Sequence, residues 1–186
     1  MFNKKKEKRP STSDTITAFE TMIPKIPKYK IHNIELLKTK EYPQTAAANL
    51  FILWIQKLVP EFISDWNVSI YLGYSEDDLE KREPYYYPGT MNKNVSAISD
   101  YYKDDRVVNF TFNLSRDYSE ITDINDLIFE IGQTAFHEVL HVVLSDFDAN
   151  KNLDKIHKII VNLENRVFPY IYNSVLESLN SSFNIW

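Results

Sequence analysis

The feature that most constrains the fold is one long amphipathic helix predicted over residues 123–145. Its apolar residues recur at the spacing of one helical face, which predicts that this face packs against a core. A neighbouring face carries side chains that can bear chemistry, and the sequence therefore predicts a buried helix that borders a cleft. The apolar face consists of Leu127, Ile128, Ile131, Ala135, Val139, Val142 and Val143, and the polar face of Glu130, Thr134, His137, Glu138 and His141.

Within this helix lies the sequence His137-Glu138-Val139-Leu140-His141. Two histidines four residues apart lie on one helical face about a turn apart, so both imidazoles can bind one metal ion. The Glu between them can reach a water molecule that the ion activates. Random shuffling of this composition gives on the order of 0.005 such motifs per chain, so chance is a poor explanation. The competing interpretation is two histidines on a solvated helix face.

A catalytic zinc usually has three protein ligands and one open position, so another part of the chain must supply the third ligand. The sequence contains no Cys, which leaves His and carboxylates. The next helix offers His157 and Glu164, which lie on one face because they are two turns apart. We expect His157 to be the ligand, since imidazole is a favoured zinc ligand, and Glu164 is the alternative. Whichever does not ligate can accept a hydrogen bond from a ligand imidazole. Asp146 and Asp148 rank lower because they follow the end of the motif helix.

Charge divides the chain of 186 residues into two parts. Residues 1–40 carry a net charge of +6, whereas the remainder carries −11. We therefore predict a basic, largely extended N-terminal arm over residues 1–43 and one globular domain over residues 44–186. Clustered lysines in the arm could contact nucleic acid, but the acidic body argues against nucleic acid as the partner.

The sequence predicts neither export nor membrane insertion. The basic residues 1–10 are followed by polar residues 11–14, where a signal peptide would carry its apolar segment. The longest apolar stretch, residues 46–55, is too short to span a membrane. We therefore expect a cytoplasmic protein with no membrane partner.

Three further segments show the periodicity of regular structure. Residues 44–62 predict a packing helix. Residues 65–74 and 106–114 alternate apolar and polar side chains, as half-buried strands do. Between these strands, residues 75–105 predict a long tyrosine-rich loop with a short strand near residues 95–98.

The last part of the chain is predicted to form two helices. Thr122 or Asp123 is the expected N-cap of the motif helix. A second helix begins near Leu153, and Pro169 is expected to kink or restart it. Its predicted apolar seam consists of Ile156, Ile160, Leu163 and Val167.

This order of elements, with HEVLH on one helix and IHKIIVNLENRV on the next, resembles the small zincin-like metallopeptidases of bacteriophage and bacterial genomes. The likeness covers roughly residues 44–170. Those proteins have a His or Glu early in the second helix and a Leu-Glu pair further on, here Leu163-Glu164. This chain departs from their pattern at Ile156 and Val161, which leaves the identity of the third ligand open.

The resemblance implies an α+β fold, a zincin-like minimal domain in which a small mixed sheet packs on the motif helix and the following C-terminal helix. It implies Zn²⁺ as cofactor, a peptide or protein as substrate, and endopeptidase rather than exopeptidase activity in the cytoplasm of a bacterial host. His137 and His141 would hold the metal together with His157 or Glu164. Glu138 would act as the general base that takes a proton from water and passes it to the leaving amine.

The resemblance also implies that a strand beside the site pairs with an extended substrate, and we expect residues 106–114 to serve. A tyrosine would assist the oxyanion, with Tyr118, Tyr170 and Tyr172 as candidates. The alternative is a catalytically inactive, metal-stabilised scaffold that acts as a phage or bacterial binding or structural protein. The intact Glu138 argues against that alternative, because a structural metal site does not need this carboxylate.

Overall fold

The computed structural model describes residues 29–40, 42–73, 95–145 and 153–183. These residues form an α+β fold, as the sequence predicts, with a small mixed sheet and three α-helices. Within these ranges no helix is both long and apolar enough to cross a membrane. In chain order the elements are β1 (Lys30–His32), a 3-10 helix (Ile34–Thr39), α1 (Gln44–Phe62), β2 (Asn67–Gly73), β3 (Ala97–Tyr102), β4 (Val107–Asn113), α2 (Ile124–Val143) and α3 (Leu153–Phe183).

The strands of the described residues lie in the order β1-β2-β4-β3. The first three run parallel to one another, and β3 runs antiparallel to β4. The two alternating segments of the sequence are the neighbouring strands β2 and β4, as predicted. Because β4 pairs with β2 on one side and with β3 on the other, β4 is an inner strand. Within the described ranges β3 therefore forms an edge of the sheet.

One face of the sheet carries the core. Val108, Phe110 and Phe112 of β4 are buried, and each lies beside a buried residue of β2. Residues that pair directly across strands share a face. The α1 helix covers this face, with the ring of Phe51 centred 4.9 Å from that of Phe112. One face of α1 is apolar and buried throughout: Ala47, Leu50, Phe51, Trp54, Ile55 and Leu58.

The motif helix α2 packs against both other helices at one point. The indole Nε1 of Trp54, on α1, donates a hydrogen bond to the carbonyl of Ile128 at 3.1 Å. One turn further along α2, a Cβ at Gly132 would lie 2.5 Å from the Trp54 ring and 2.7 Å from the ring of Phe168 on α3. No side chain fits there, because real Cβ atoms are essentially never found so close to another heavy atom. The absence of a side chain at Gly132 thus allows both rings to contact α2.

The sheet begins earlier in the chain than the sequence predicts. The predicted arm over residues 1–43 includes β1, which pairs with β2 and places Ile31 beside Ile70. Three residues are too few to show an alternation, which explains why periodicity does not detect this strand. The rest of the arm up to residue 28, and residues 74–94 of the predicted loop, lie outside the described residues. The short strand predicted near residues 95–98 is present as β3, which extends to Tyr102.

Two predictions for the helices are corrected and one is confirmed. Asp123 is the N-cap of α2, and its Oδ1 accepts a hydrogen bond from the Asn125 N–H at 2.7 Å. α3 continues through Pro169, so the helix does not restart there. Val167 was predicted in the apolar seam but is 37% exposed, whereas Phe168 is fully buried. The larger aromatic ring buries more apolar surface than Val167 and determines which face of α3 turns inward.

We expect Gly132→Ala to destabilise the protein by about 1–2 kcal/mol. Ala is favoured over Gly in a helix by about 1 kcal/mol, but overpacking against the Trp54 and Phe168 rings costs up to about 3 kcal/mol. Urea unfolding measures the difference. The matched control, Gln133→Ala at the next and partly exposed position, is expected to change stability by less than about 1 kcal/mol. Equal stability of Gly132→Ala and the wild type would show that this contact does not set the spacing of the helices.

Candidate metal centre

The polar face of α2 forms one wall of a cleft of about 590 Å³. Glu130, Thr134, His137 and Glu138, all on the predicted polar face, line it. The opposite wall comes from the start of β3 and from α3. The helix places these side chains in line because positions three and four apart share a face. The cleft therefore lies where the sequence analysis predicts it, beside the buried stripe of the motif helix.

Three histidines converge beside this cleft, and two of them, His137 and His157, line it. Each of His137, His141 and His157 offers one ring nitrogen, and the three nitrogens lie within 4.8 Å of one another. The Nε2 atoms of His137 and His141 are 3.2 Å apart. Two nitrogen ligands at 2.0–2.1 Å from one tetrahedral ion would be separated by about 3.3 Å. The donor set and this spacing therefore fit a zinc-type ion held by three imidazoles.

Glu164 contacts the first of these histidines rather than joining the cluster. Its Oε2 accepts a hydrogen bond from Nδ1 of His137 at 2.6 Å, and both side chains are less than one-fifth exposed. Burial lowers the pKa of His137, but the hydrogen bond to Glu164 and the charges of Glu138 and Glu164 outweigh burial, so the pKa lies above its ordinary value. A proton fixed on Nδ1 leaves Nε2 free to bind a metal. Glu164 therefore makes the contact expected of the candidate, His157 or Glu164, that does not bind the metal.

The carboxylate of Glu138 is buried in the same cleft. Its residue is 7% exposed, and its Oε2 accepts a hydrogen bond from the hydroxyl of Ser99 at 2.7 Å. Burial raises the pKa of Glu138 to about 7, although His137 and Ser99 act in the opposite direction. A carboxylate with a pKa near neutrality can both accept and release a proton at physiological pH.

Ser99 is a site residue that the sequence analysis missed. It lies in β3, inside the segment predicted as a loop, and is 39 residues from Glu138 in sequence. It points towards α2 because it pairs with Phe110, whose side chain belongs to the covered face of the sheet. The alternation in β3 is weak, since its residues are mostly half-buried, so no periodicity could have shown which residues face the helix.

The strand beside the site is β3 and not the predicted residues 106–114. Those residues form β4, whose hydrogen-bonding edges are both occupied by β2 and β3. A clear alternation of apolar and polar residues indicates a strand with one buried face, and it does not show whether that strand lies inside the sheet or at its edge. β3 contacts α2 through Ser99 and pairs on one side only within the described residues. Within the described residues, β3 rather than β4 therefore has a free backbone edge beside α2.

None of the three candidate tyrosines lines the cleft in the described part of the chain. Tyr118 is 1% exposed and stacks on Phe112 in the core. Tyr172 donates a hydrogen bond to the carbonyl of Asn125 at 3.0 Å, near the start of α2. Tyr170 is 77% exposed. Their rings pack in or over the core or face solvent. The charged side chain that lines the cleft near Tyr118 is instead Arg116.

No protein-family model, curated protein or solved structure matches this chain. The case for a metal centre therefore depends on the spacing of the histidines in sequence and on the distances between their ring nitrogens. The lower-ranked candidate ligands, Asp146 and Asp148, lie outside the described residues.

We expect His157→Ala to abolish zinc retention and Glu164→Gln only to weaken it, by about 10- to 100-fold in affinity. The alanine removes a ligand, whereas the amide keeps the shape of Glu164 but no longer fixes the tautomer of His137. Zinc binding is measured by competition with a chromogenic chelator. His32→Ala is the matched control, because His32 lies in β1 and outside the cluster. Loss of zinc in Glu164→Gln with full retention in His157→Ala would reverse the two roles.

Proposed function

We propose that this protein is a zincin-like metallopeptidase of the bacteriophage and bacterial type, which hydrolyses peptide bonds with Zn²⁺ as cofactor. The observation that carries the proposal is the convergence of His137, His141 and His157 beside the buried carboxylate of Glu138. Three imidazoles and an adjacent base are the ligand set and the proton acceptor that this chemistry requires.

The proposed reaction needs a metal ion, side chains that hold the ion, and a base. The chain supplies the metal-binding side chains and the base. When bound, a zinc ion supplies Lewis acidity, which acidifies water and polarises a substrate carbonyl. Glu138 accepts the proton of the attacking water and delivers it to the leaving amine, and burial, which raises its pKa, makes it a better proton acceptor. The Ser99 hydroxyl holds one oxygen of that carboxylate, which leaves the other oxygen to accept the proton. The three histidines hold the ion, and Glu164 orients His137.

The position of β3 supports a peptide as the substrate. An extended chain that pairs with an edge strand gains backbone hydrogen bonds without depending on particular side chains. Ser99 lies in β3 and touches Glu138, so a peptide paired with β3 passes directly beside the base. The cleft volume of about 590 Å³ is sufficient for a few residues of such a chain.

The burial of Glu138 favours an enzyme over a metal-stabilised scaffold. Burial raises the pKa of this carboxylate, so keeping it ionised in place disfavours the folded state. A structural metal site gains nothing from that cost, because its ligands are the three histidines. A general base does benefit from burial, because burial raises its pKa and so strengthens it as a proton acceptor.

We expect zinc-loaded wild type and Glu138→Gln each to hold about one zinc per chain, with cleavage reduced at least about 100-fold in the variant. The amide keeps the shape of Glu138 but cannot accept the proton. Cleavage is measured as new termini generated in a random peptide library, detected by mass spectrometry. Glu61→Gln, an exposed carboxylate on α1, is the matched control and should behave as wild type. Equal cleavage by wild type and Glu138→Gln, or none by the wild type, contradicts the proposal.

We expect Ser99→Thr and Ser99→Val to separate the hydroxyl from the shape of the side chain. Thr retains the hydrogen bond to Glu138, whereas Val has the same shape and removes it. Ser99→Val should lower kcat at least about 10-fold relative to Ser99→Thr, because a misoriented base lowers the rate of proton transfer. The KM and the zinc content should stay within about twofold, since neither the metal nor the peptide depends on this hydroxyl. A loss in Ser99→Val confined to KM would assign Ser99 to substrate binding.

A further inference from the structure

The end of the cleft away from the histidines contains a guanidinium held in place on three sides. Nη2 of Arg116 donates to Oε1 of Glu130 at 2.5 Å, and Nη1 donates to the hydroxyl of Ser96. The guanidinium carbon also lies 5.4 Å from the ring centre of Tyr118. All three polar residues line the cleft, and the Arg116 side chain is 32% exposed. The cation is thus fixed in orientation and still accessible from the cleft.

The distance from the Arg116 guanidinium to Glu138, the proposed base, can be estimated along two regular elements, α2 and β3. Glu130 and Glu138 are eight residues apart on α2, which is about 12 Å at the helical rise of 1.5 Å per residue. The Cα atoms of Ser96 and Ser99 are three residues apart in sequence, which is about 10 Å along the strand direction, although their side chains leave the backbone on opposite faces. Ser96 continues the ladder of β3, because its carbonyl accepts from the Asn113 N–H. Both estimates place Arg116 about three residues of extended peptide away from Glu138.

We propose that Arg116 binds a carboxylate of the peptide substrate about three residues from the bond that is cleaved. This inference rests on the proposed peptidase function and adds the chemical class of substrate. A guanidinium has five N–H donors in a planar fork, and the contacts to Ser96 and Glu130 use two of them. The remaining donors can bind one or both oxygens of an incoming carboxylate.

The direction of the substrate follows from the direction of β3. The strand runs from Ser96, at Arg116, to Ser99, at Glu138. Antiparallel pairing is the more stable of the two modes, so a paired peptide runs the opposite way, from Glu138 towards Arg116. Its carboxylate then belongs to the third residue after the cleaved bond. Either an Asp or Glu side chain or the C-terminal carboxylate of a short peptide can supply it.

Glu130 makes the inference testable because it competes for the same cation. Its carboxylate occupies one side of the Arg116 fork and is itself 35% exposed. Removing Arg116 removes the binding group, whereas removing the charge of Glu130 leaves Arg116 without its internal partner. A purely structural ion pair would be broken equally by both changes. If Arg116 binds the substrate, removing Arg116 lowers the preference for a peptide carboxylate, whereas removing the charge of Glu130 raises it.

The test uses zinc-loaded protein and peptides of one fixed sequence in which a single Glu or Gln is placed at each position in turn. Product masses give the cleaved bond. The wild type should cleave with kcat/KM at least about tenfold higher for Glu than for Gln at the third residue after the bond, as expected for a charged hydrogen bond. A matched series that ends at this residue, as free acid or amide, distinguishes a C-terminal carboxylate from a side chain. A tenfold preference in either series supports the proposal.

Three variants connect the preference to Arg116. Arg116→Gln should reduce the ratio of Glu to Gln to about one, and Arg116→Lys, which keeps the charge without the fork, should give an intermediate ratio. Glu130→Gln should raise the ratio above that of the wild type. Arg106→Gln is the control, since Arg106 lies at the opposite end of the β3–β4 hairpin beside Asp65 and should leave the ratio unchanged. A ratio near one in the wild type, or shifts of the same sign in Arg116→Gln and Glu130→Gln, overturns the proposal.

A binding measurement separates this proposal from the peptidase function. Fluorescently labelled peptides of the same two series are titrated into Glu138→Gln, which does not cleave them, with and without the added change Arg116→Gln. A tenfold difference in Kd that depends on Arg116, together with no cleavage by the wild type, rejects the peptidase function and supports the carboxylate site. Cleavage by the wild type that does not depend on the peptide carboxylate supports the peptidase function and rejects the carboxylate site.

Discussion

The close approach of Trp54 and Phe168 to α2 at Gly132 is the contact on which the site depends. Successive residues on a helix are rotated by about 100°, so the side that receives these two rings determines where every other side chain of α2 points. With Gly132 against α1 and α3, His137 and His141 turn towards His157 and the cleft. The hydrogen bond from the Trp54 indole to the Ile128 carbonyl also fixes the axial position of the helix. A helix rotated by one residue would keep much of its apolar contact but would separate the three imidazoles.

The electrostatics of the site oppose the stability of the fold. Glu138 is buried, and burial outweighs the favourable effects of His137 and Ser99 on its charged form. Asp100 is a second half-buried carboxylate, whose pKa burial raises to about 6, and its charge further disfavours the ionised form of Glu138. Two carboxylates in such surroundings are poor choices for packing alone. Natural proteins accept local violations of this kind mainly where the residues serve a function, which agrees with the role proposed for Glu138.

The sequence predicts what depends on regular periodicity and misses what depends on contacts across the sheet. The bounds of α1, the two alternating strands and the N-cap Asp123 follow from spacing within a few residues. The proximity of His157 to the motif also follows, because two neighbouring helices of an antiparallel pair must bring such residues together. Spacing could not show that the strongest strand is an inner one, since alternation reports burial and not the order of strands. It could not show Ser99 either, because its role comes from pairing with β4.

Ser99 connects β3 to α2 directly, since its hydroxyl donates to Glu138. Ser96, just before β3, accepts from Arg116, which in turn donates to Glu130 of α2. Arg116 itself lies on the segment between β4 and α2, so these two contacts hold its guanidinium relative to the strand and the helix. On the proposed function, a substrate that pairs with β3 must be extended to reach from Glu138 to Arg116, because a helical peptide of three residues would rise only about 4.5 Å. The proposal therefore favours unfolded or flexible segments over helices as the sites of cleavage.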